Sequence, residues 1–154
     1  MLENHVDLRN TVLIGIQPRG IFLSDRIVQQ IREELAGEKI EYGKLDITFY
    51  RDDFSKQLHV ANKTDIVFTI EGKNVVLIDD VLYTGRTIRA AMDALMDFGR
   101  PAKVELLVLI DRRYSRELPI QPDYTGRSID SIVTQKVKVL WHENDGRDEV
   151  VLVD

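Results

Sequence analysis

Val75-Val76-Leu77-Ile78 runs without a break into Asp79-Asp80-Val81-Leu82-Tyr83-Thr84-Gly85-Arg86-Thr87. Four consecutive apolar residues, three of them β-branched, make a strand covered on both faces, as in a parallel sheet between helical layers. The spacing predicts a strand over Asn74 to Ile78 that ends at two carboxylates. A hydroxyl-rich glycine turn then opens an amphipathic helix through Ile88, Ala91, Met92, Leu95 and Met96. A strand, a short turn and a helix in that order commit the chain to α/β layering.

The same alternation recurs on both sides. Thr11 to Ile16 reads as a first strand, and Gly20 to Leu35 as a helix with Ile21, Leu23, Ile27, Ile31 and Leu35 at helical spacing and Gly37 as its stop. Tyr42 to Tyr50 reads as a second strand, and Lys103 to Ile110 as a fourth, after a helix that Gly99 and Pro101 terminate. Val133 to Trp141 and Glu149 to Val153 are predicted to form a closing hairpin around Asn144-Asp145-Gly146, a type I′ turn signal. No internal repeat or low-complexity linker interrupts the pattern.

Composition sets the remaining bounds. At 154 residues one domain is expected, and 44% hydrophobic with 31% charged residues fits an ordinary globular chain. Cysteine is absent, which rules out a disulfide framework and Cys-based zinc sites and fits a cytoplasmic location. No apolar run approaches membrane-spanning length, and Met-Leu-Glu-Asn-His-Val-Asp is too polar for a signal peptide, so no membrane partner is expected. A net charge of −5 argues against broad nonspecific nucleic-acid binding. His5, His59 and His142 have no partner spacing that suggests a metal site.

The chemistry at the end of the third strand is that of a phosphosugar grip. Ligands of open α/β sheets collect beyond the carboxyl ends of the strands, where free amides and the positive end of a helix dipole favour a phosphate. Gly85 permits close backbone approach, and Thr84 and Thr87 offer hydroxyls. Asp79 and Asp80 can accept from vicinal sugar hydroxyls or hold the water around Mg²⁺. Read alone, the two acids also fit a plain strand end and Thr84 a plain helix cap.

A second anion-facing turn, Gly15-Ile16-Gln17-Pro18-Arg19-Gly20, follows the first strand; by itself it is equally a routine strand-to-helix connection. Arg51-Asp52-Asp53 precedes a polar stretch, Ser55 to Asp65, that reads either as a mobile lid or as an ordinary surface loop.

The run from Val75 to Thr87 resembles the phosphoribosyl-pyrophosphate (PRPP) signature of type I phosphoribosyltransferases. Four segments narrow the resemblance: Leu45 to Asp53; Asp79 to Thr87; Met92 to Leu95 with Gly99-Arg100-Pro101; and Arg116 to Ile120 with Asp123-Tyr124. Together they resemble the PyrR family over nearly the whole chain. The resemblance implies the type I phosphoribosyltransferase fold, a mainly parallel twisted sheet flanked by helices with a small hood and a C-terminal β-hairpin. It is expected as one domain over 1–154, with the hood at about 111–135.

It further implies Mg²⁺-dependent transfer from PRPP to uracil, giving UMP and pyrophosphate, a homodimer or higher homo-oligomer, and leader mRNA as a further partner. The implied catalytic set is Arg19, Arg51, Asp79 and Asp80. PRPP is implied to meet Pro18, Arg19, Asp79, Asp80, Val81, Leu82, Tyr83, Thr84, Gly85, Arg86 and Thr87, with no metal ligand beyond the Mg²⁺ that PRPP carries beside Asp79 and Asp80. Arg112 and Val137 are implied at the nucleobase, and Arg116 and Arg127 at RNA. Without the resemblance, Arg112-Arg113 is more often a solvated pair.

Tyr83 stands where purine phosphoribosyltransferases often carry an acid that handles a base proton, which suits a nucleobase as acidic as uracil; it equally fits a tyrosine packed against the helix. Gln17 and Pro18 replace the family's Lys and Thr, which predicts weaker phosphate affinity. The family also begins earlier, with a helix. Gln121 stands where a basic residue is usual, and the family's Gly-His-Arg-Glu-Leu-Pro stretch lacks its His here, which thins the RNA face. Two alternatives accompany this expectation: a nucleotide-sensing attenuator with little turnover, and a phosphoribosyltransferase for another nucleobase.

Overall fold

The computed structural model describes residues 1–5, 7–50 and 64–154. Arg51, His59 and most of the Ser55 to Asp65 stretch lie outside the described residues. Five strands form one parallel sheet: β1 (Thr11–Gln17), β2 (Glu41–Asp46), β3 (Asn74–Leu82), β4 (Lys103–Arg113) and β5 (Tyr124–Asp130). Helix α1 (Gly20–Glu34) follows β1 and α2 (Arg86–Leu95) follows β3. Strands β6 (Lys136–Leu140) and β7 (Glu149–Val153) form a separate antiparallel hairpin, joined through the short helix α3 (His142–Asp145).

Strand order is β2-β1-β3-β4-β5. The chain leaves β1 toward β2 on one side and leaves β3 toward β4 on the other. The carboxyl ends of β1 and β3 therefore flank the topological switch point, where open α/β sheets take their ligands.

The pleat explains the two cores. Val12, Ile14, Val75 and Leu77 face one side, packing with Ile88, Ala91 and Leu95 of α2; Leu13, Val76 and Ile78 face the other, packing with Val28 and Ile31 of α1. β1 and β3 are almost wholly buried, so their sequences show a continuous apolar run rather than alternation. Truncating Leu77 or Ile78, both at 0% exposure, to Ala should cost about 2–5 kcal/mol. A third cluster, Ile110, Val139 and Trp141 with Phe22 and Leu23, seats the hairpin against β4 and α1.

Beyond a first hairpin strand that covers Lys136–Leu140 rather than Val133 to Trp141, four boundaries differ from the sequence expectation. β3 runs on to Leu82, so Asp79 and Asp80 lie inside the strand rather than after it; the β4 ladder holds them there through Asp79↔Val108 and Leu82↔Asp111. β4 likewise extends to Arg113, because Arg112 and Arg113 pair with Ile129 and Asp130 of β5. β2 stops at Asp46, whose Oδ1 accepts from the Thr48 amide at 3.1 Å and its hydroxyl at 2.7 Å, turning the chain into the 3₁₀ segment Thr48–Tyr50. The Asn144-Asp145-Gly146 stretch is no type I′ turn. Asp145 accepts from the Trp141 amide at 2.8 Å, a helical turn forms, and Gly146 closes it at φ 75°.

Candidate active site

The acids are oriented by their own strand. The Asp80 amide donates to Asp79 Oδ1 at 2.9 Å and the Val81 amide to Asp80 Oδ1 at 2.8 Å. Both residues are buried, Asp79 at 6% and Asp80 at 9% exposure. Carboxylates this buried call for partners. Across the switch point Arg19 Nε lies 3.9 Å from Asp80 Oδ2, and Arg19 also donates to the Val139 carbonyl and lies 3.8 Å from Asp145 Oδ2.

Gly20 lets the first turn of α1 lie against β3. A Cβ there would stand 2.6 Å from the Ile78 carbonyl oxygen and 3.0 Å from Asp79 Cα, backbone that cannot yield. The Gln17–Pro18 peptide that precedes this turn is cis.

The turn after β3 forms the second half of the site. Gly85 sits at φ 95°, a left-handed position that favours glycine, and α2 begins at the next residue, so the positive end of its dipole faces this turn. Thr84 Oγ1 accepts from the Arg86 amide at 3.2 Å. Residues 81–88 with Glu117 line a cavity of about 320 Å³. Arg19, Asp80, Val81 and Asp145, with Val137 to Leu140 of the hairpin, line a neighbouring one of about 430 Å³. Val81 borders both.

The structure thus brings together Arg19, Asp80, Val81 and Val137, with the run from Leu82 to Thr87 beside them. Among the described residues no three His, Asp or Glu side chains form a metal cage. The adjacent carboxylates suit a hard cation that keeps several waters and arrives bound to substrate phosphates.

Arg112 and Arg116 occupy positions the sequence does not reveal. Arg112 is 5% exposed and is no solvated surface cation. It donates to Ser131 Oγ at 2.8 Å and to the carbonyls of Gln135 at 2.9 Å and Ile132 at 3.3 Å, and it stacks on Tyr83. Arg116 donates to the carbonyls of Ile120 at 2.7 Å, Tyr83 at 2.8 Å and Arg112 at 3.1 Å, and to Asp111. Arg127 is exposed on β5.

Three contributors escape sequence reading. Asp145 reads as a turn residue, Val139 acts through its carbonyl, and Glu117 pairs with Arg86 at 2.6 Å from a loop without periodicity. The Asp-Gly turn signal is the one hint among them.

Residues 2–143 match the phosphoribosyl transferase domain family. The chain is 49% identical over 154 residues to the Bifunctional protein PyrR of Picosynechococcus sp., covering 99% of this chain and 86% of that protein. The chain belongs to the PyrR family. A second relative with the same printed name, from Bacillus cereus, is 46% identical over 158 residues and covers 100% of this chain and 87% of its own length. A solved hypoxanthine phosphoribosyltransferase from Staphylococcus aureus superposes with a TM-score of 0.58 at 21% identity, covering 78% of this chain and 62% of that one, a likeness of fold alone. Family membership and the parallel sheet with its hairpin bear out the fold expected from the Val75 to Thr87 run. No helix among the described residues is long and apolar enough to cross a membrane.

Proposed function

We propose that the chain is a uracil phosphoribosyltransferase. It transfers ribose 5-phosphate from PRPP to uracil: a bond forms between the uracil ring nitrogen and the anomeric carbon, the carbon–oxygen bond to pyrophosphate breaks, and the ring nitrogen gives up its proton. One observation carries this reading. Asp80 faces Arg19 across one cavity, and the Thr84 to Thr87 turn at the start of α2 lines the cavity beside it, in a member of the PyrR family.

In this reading the turn from Thr84 to Thr87 holds the 5-phosphate, Asp79 and Asp80 the ribose hydroxyls, and Pro18 and Arg19 the pyrophosphate. Arg19 stabilises charge on the leaving group in a partly enclosed cavity, where such a contact is worth most. Mg²⁺ bound to PRPP supplies further charge neutralisation beside Asp79 and Asp80. Uracil lies against the Val137 strand edge, under a hood of residues 111–135 that Arg112 braces from within. Arg51 completes the set from outside the described residues. The enzyme is cytoplasmic and works as a homodimer or higher homo-oligomer.

A second activity is supported by the word "bifunctional" in the relatives' name, and in this reading it acts on pyrimidine leader RNA. Arg127 remains free to face RNA, while Arg116 serves the fold through four contacts of its own. Parallel assays with uracil, hypoxanthine, guanine and orotate test the proposal. UMP formed from uracil alone supports it, and turnover of a purine or of orotate instead moves the chain to another nucleobase.

A further inference from the structure

Arg26, on the outer part of α1, grips the turn that joins β6 to β7. Its guanidinium carbon lies 4.9 Å above the Trp141 ring. Its NH2 group donates to Glu143 Oε1 at 2.7 Å and to Asp148 Oδ1 at 2.7 Å, its Nε to Glu143 Oε1 at 3.0 Å, and its NH1 to Asp148 Oδ2 at 3.1 Å. A lone exposed ion pair fixes little, but a planar fork engaged by two carboxylates and stacked on an indole fixes both position and tilt. The two carboxylates come from opposite ends of the turn. Asp148 also accepts from the His142 amide at 2.8 Å, so the segment is folded onto itself before it meets Arg26. Hydrogen bonds to Asp148 and Glu143 raise the affinity of Arg26 for its proton, and the same contact to Arg26 lowers the Asp148 carboxyl.

The inner side of this turn holds Arg19. Asp145 Oδ2 takes the Trp141 amide at 2.8 Å and lies 3.8 Å from Arg19 NH2, while the Val139 carbonyl accepts from the same NH2 group. Arg26 and Arg19 therefore hold one hairpin from its outer and inner faces. Arg26 lies outside the cavity that Arg19, Asp80 and Val137 line.

We infer that Arg26 is a positioning residue: by docking the β6–β7 hairpin on α1 it sets where the Arg19 guanidinium meets the pyrophosphate of PRPP. The inference rests on the proposed function, since it concerns the same site. Lysine cannot replace Arg26, because one ammonium cannot bridge both carboxylates and stack on the ring at once.

The test uses the full chain as wild type, Arg26→Ala, Arg26→Lys, Arg19→Ala and the double variant Arg19→Ala/Arg26→Ala. Trp141 is the chain's single tryptophan and is buried, so its emission reports docking of the hairpin without any ligand. Arg26→Ala should shift that emission to the red while far-UV circular dichroism stays unchanged, and Arg26→Lys should behave like Arg26→Ala.

Calorimetry with PRPP and Mg²⁺ should give a Kd raised about tenfold by Arg26→Ala, but less than about twofold where Arg19 is already Ala. Unchanged Trp141 emission, or equal weakening in both Arg19 backgrounds, overturns the inference while leaving the function intact. A wild type that binds no PRPP overturns the proposed function and the coupling to Arg19 together.

Discussion

The Arg112 guanidinium lies over the Tyr83 ring, 4.0 Å from its centroid, and ties the end of β4 to the turn that follows β3. The contact joins the phosphate turn to residues 131–135, because the same guanidinium bonds Ser131, Ile132 and Gln135. Arg112→Ala removes a buried cation, its stacking on Tyr83 and three hydrogen bonds to acceptors that are only partly buried. It should cost about 3 kcal/mol, read as a lower urea midpoint at unchanged slope.

Gly20→Ala brings a methyl group against the Ile78 carbonyl and Asp79 Cα. Something must shift, and the neighbours are backbone. The expected cost is about 1–3 kcal/mol of stability, with a loss of PRPP turnover larger than the unfolded fraction accounts for. Urea unfolding and steady-state kinetics on the same preparation separate the two effects.

Arg116→Lys keeps the charge but cannot reproduce contacts to three carbonyls and a carboxylate. A stability loss of about 2 kcal/mol is expected. Any fall in RNA affinity for this variant should therefore shrink once binding is corrected to the folded fraction, whereas Arg127→Ala should weaken RNA binding without moving the urea midpoint.

The fold was legible where packing dominates and illegible where polar residues sit inside strands. β1, α1 and α2 follow from apolar spacing, and their cores face as the pleat dictates. Asp79-Asp80 and Asp111-Arg112-Arg113 read as strand ends because acids and arginines are uncommon in buried strands; pairing with β4 and β5 overrides that preference. β5, Tyr-Thr-Gly-Arg-Ser-Ile-Asp, went unread because an edge strand exposed along most of its length needs no apolar run. At the site, Arg19, Asp80 and the Thr84 to Thr87 turn were legible from motif chemistry. Asp145 and Val139 were not, since a hairpin distant in sequence delivers them.

At the opposite end of the sheet, Glu105 accepts from Tyr124 at 2.6 Å and faces His5 Nε2 at 2.6 Å, both residues being buried. The other ring nitrogen of His5, Nδ1, faces the Thr11 hydroxyl at 3.1 Å. Burial alone pushes the Glu105 carboxyl up, but the Tyr124 hydrogen bond and the His5 and Lys103 charges outweigh it and hold it below the ordinary glutamate value of 4.5.

A lowered folded-state pKa means stability present above 4.5 and lost as pH falls through the lowered value. The urea midpoint should decline over that acid window. Glu105→Gln should start lower at neutral pH and decline less steeply.

The measurement that bears most directly on the central claim is the rate of UMP formation from PRPP, Mg²⁺ and uracil by the wild type, beside Asp79→Asn and Asp80→Asn. The predicted result is uracil-dependent turnover that falls about a hundredfold in each variant, about 2.7 kcal/mol of lost transition-state stabilisation, with urea midpoints little changed. No UMP from a folded wild type, or equal rates in wild type and both variants, would contradict the account.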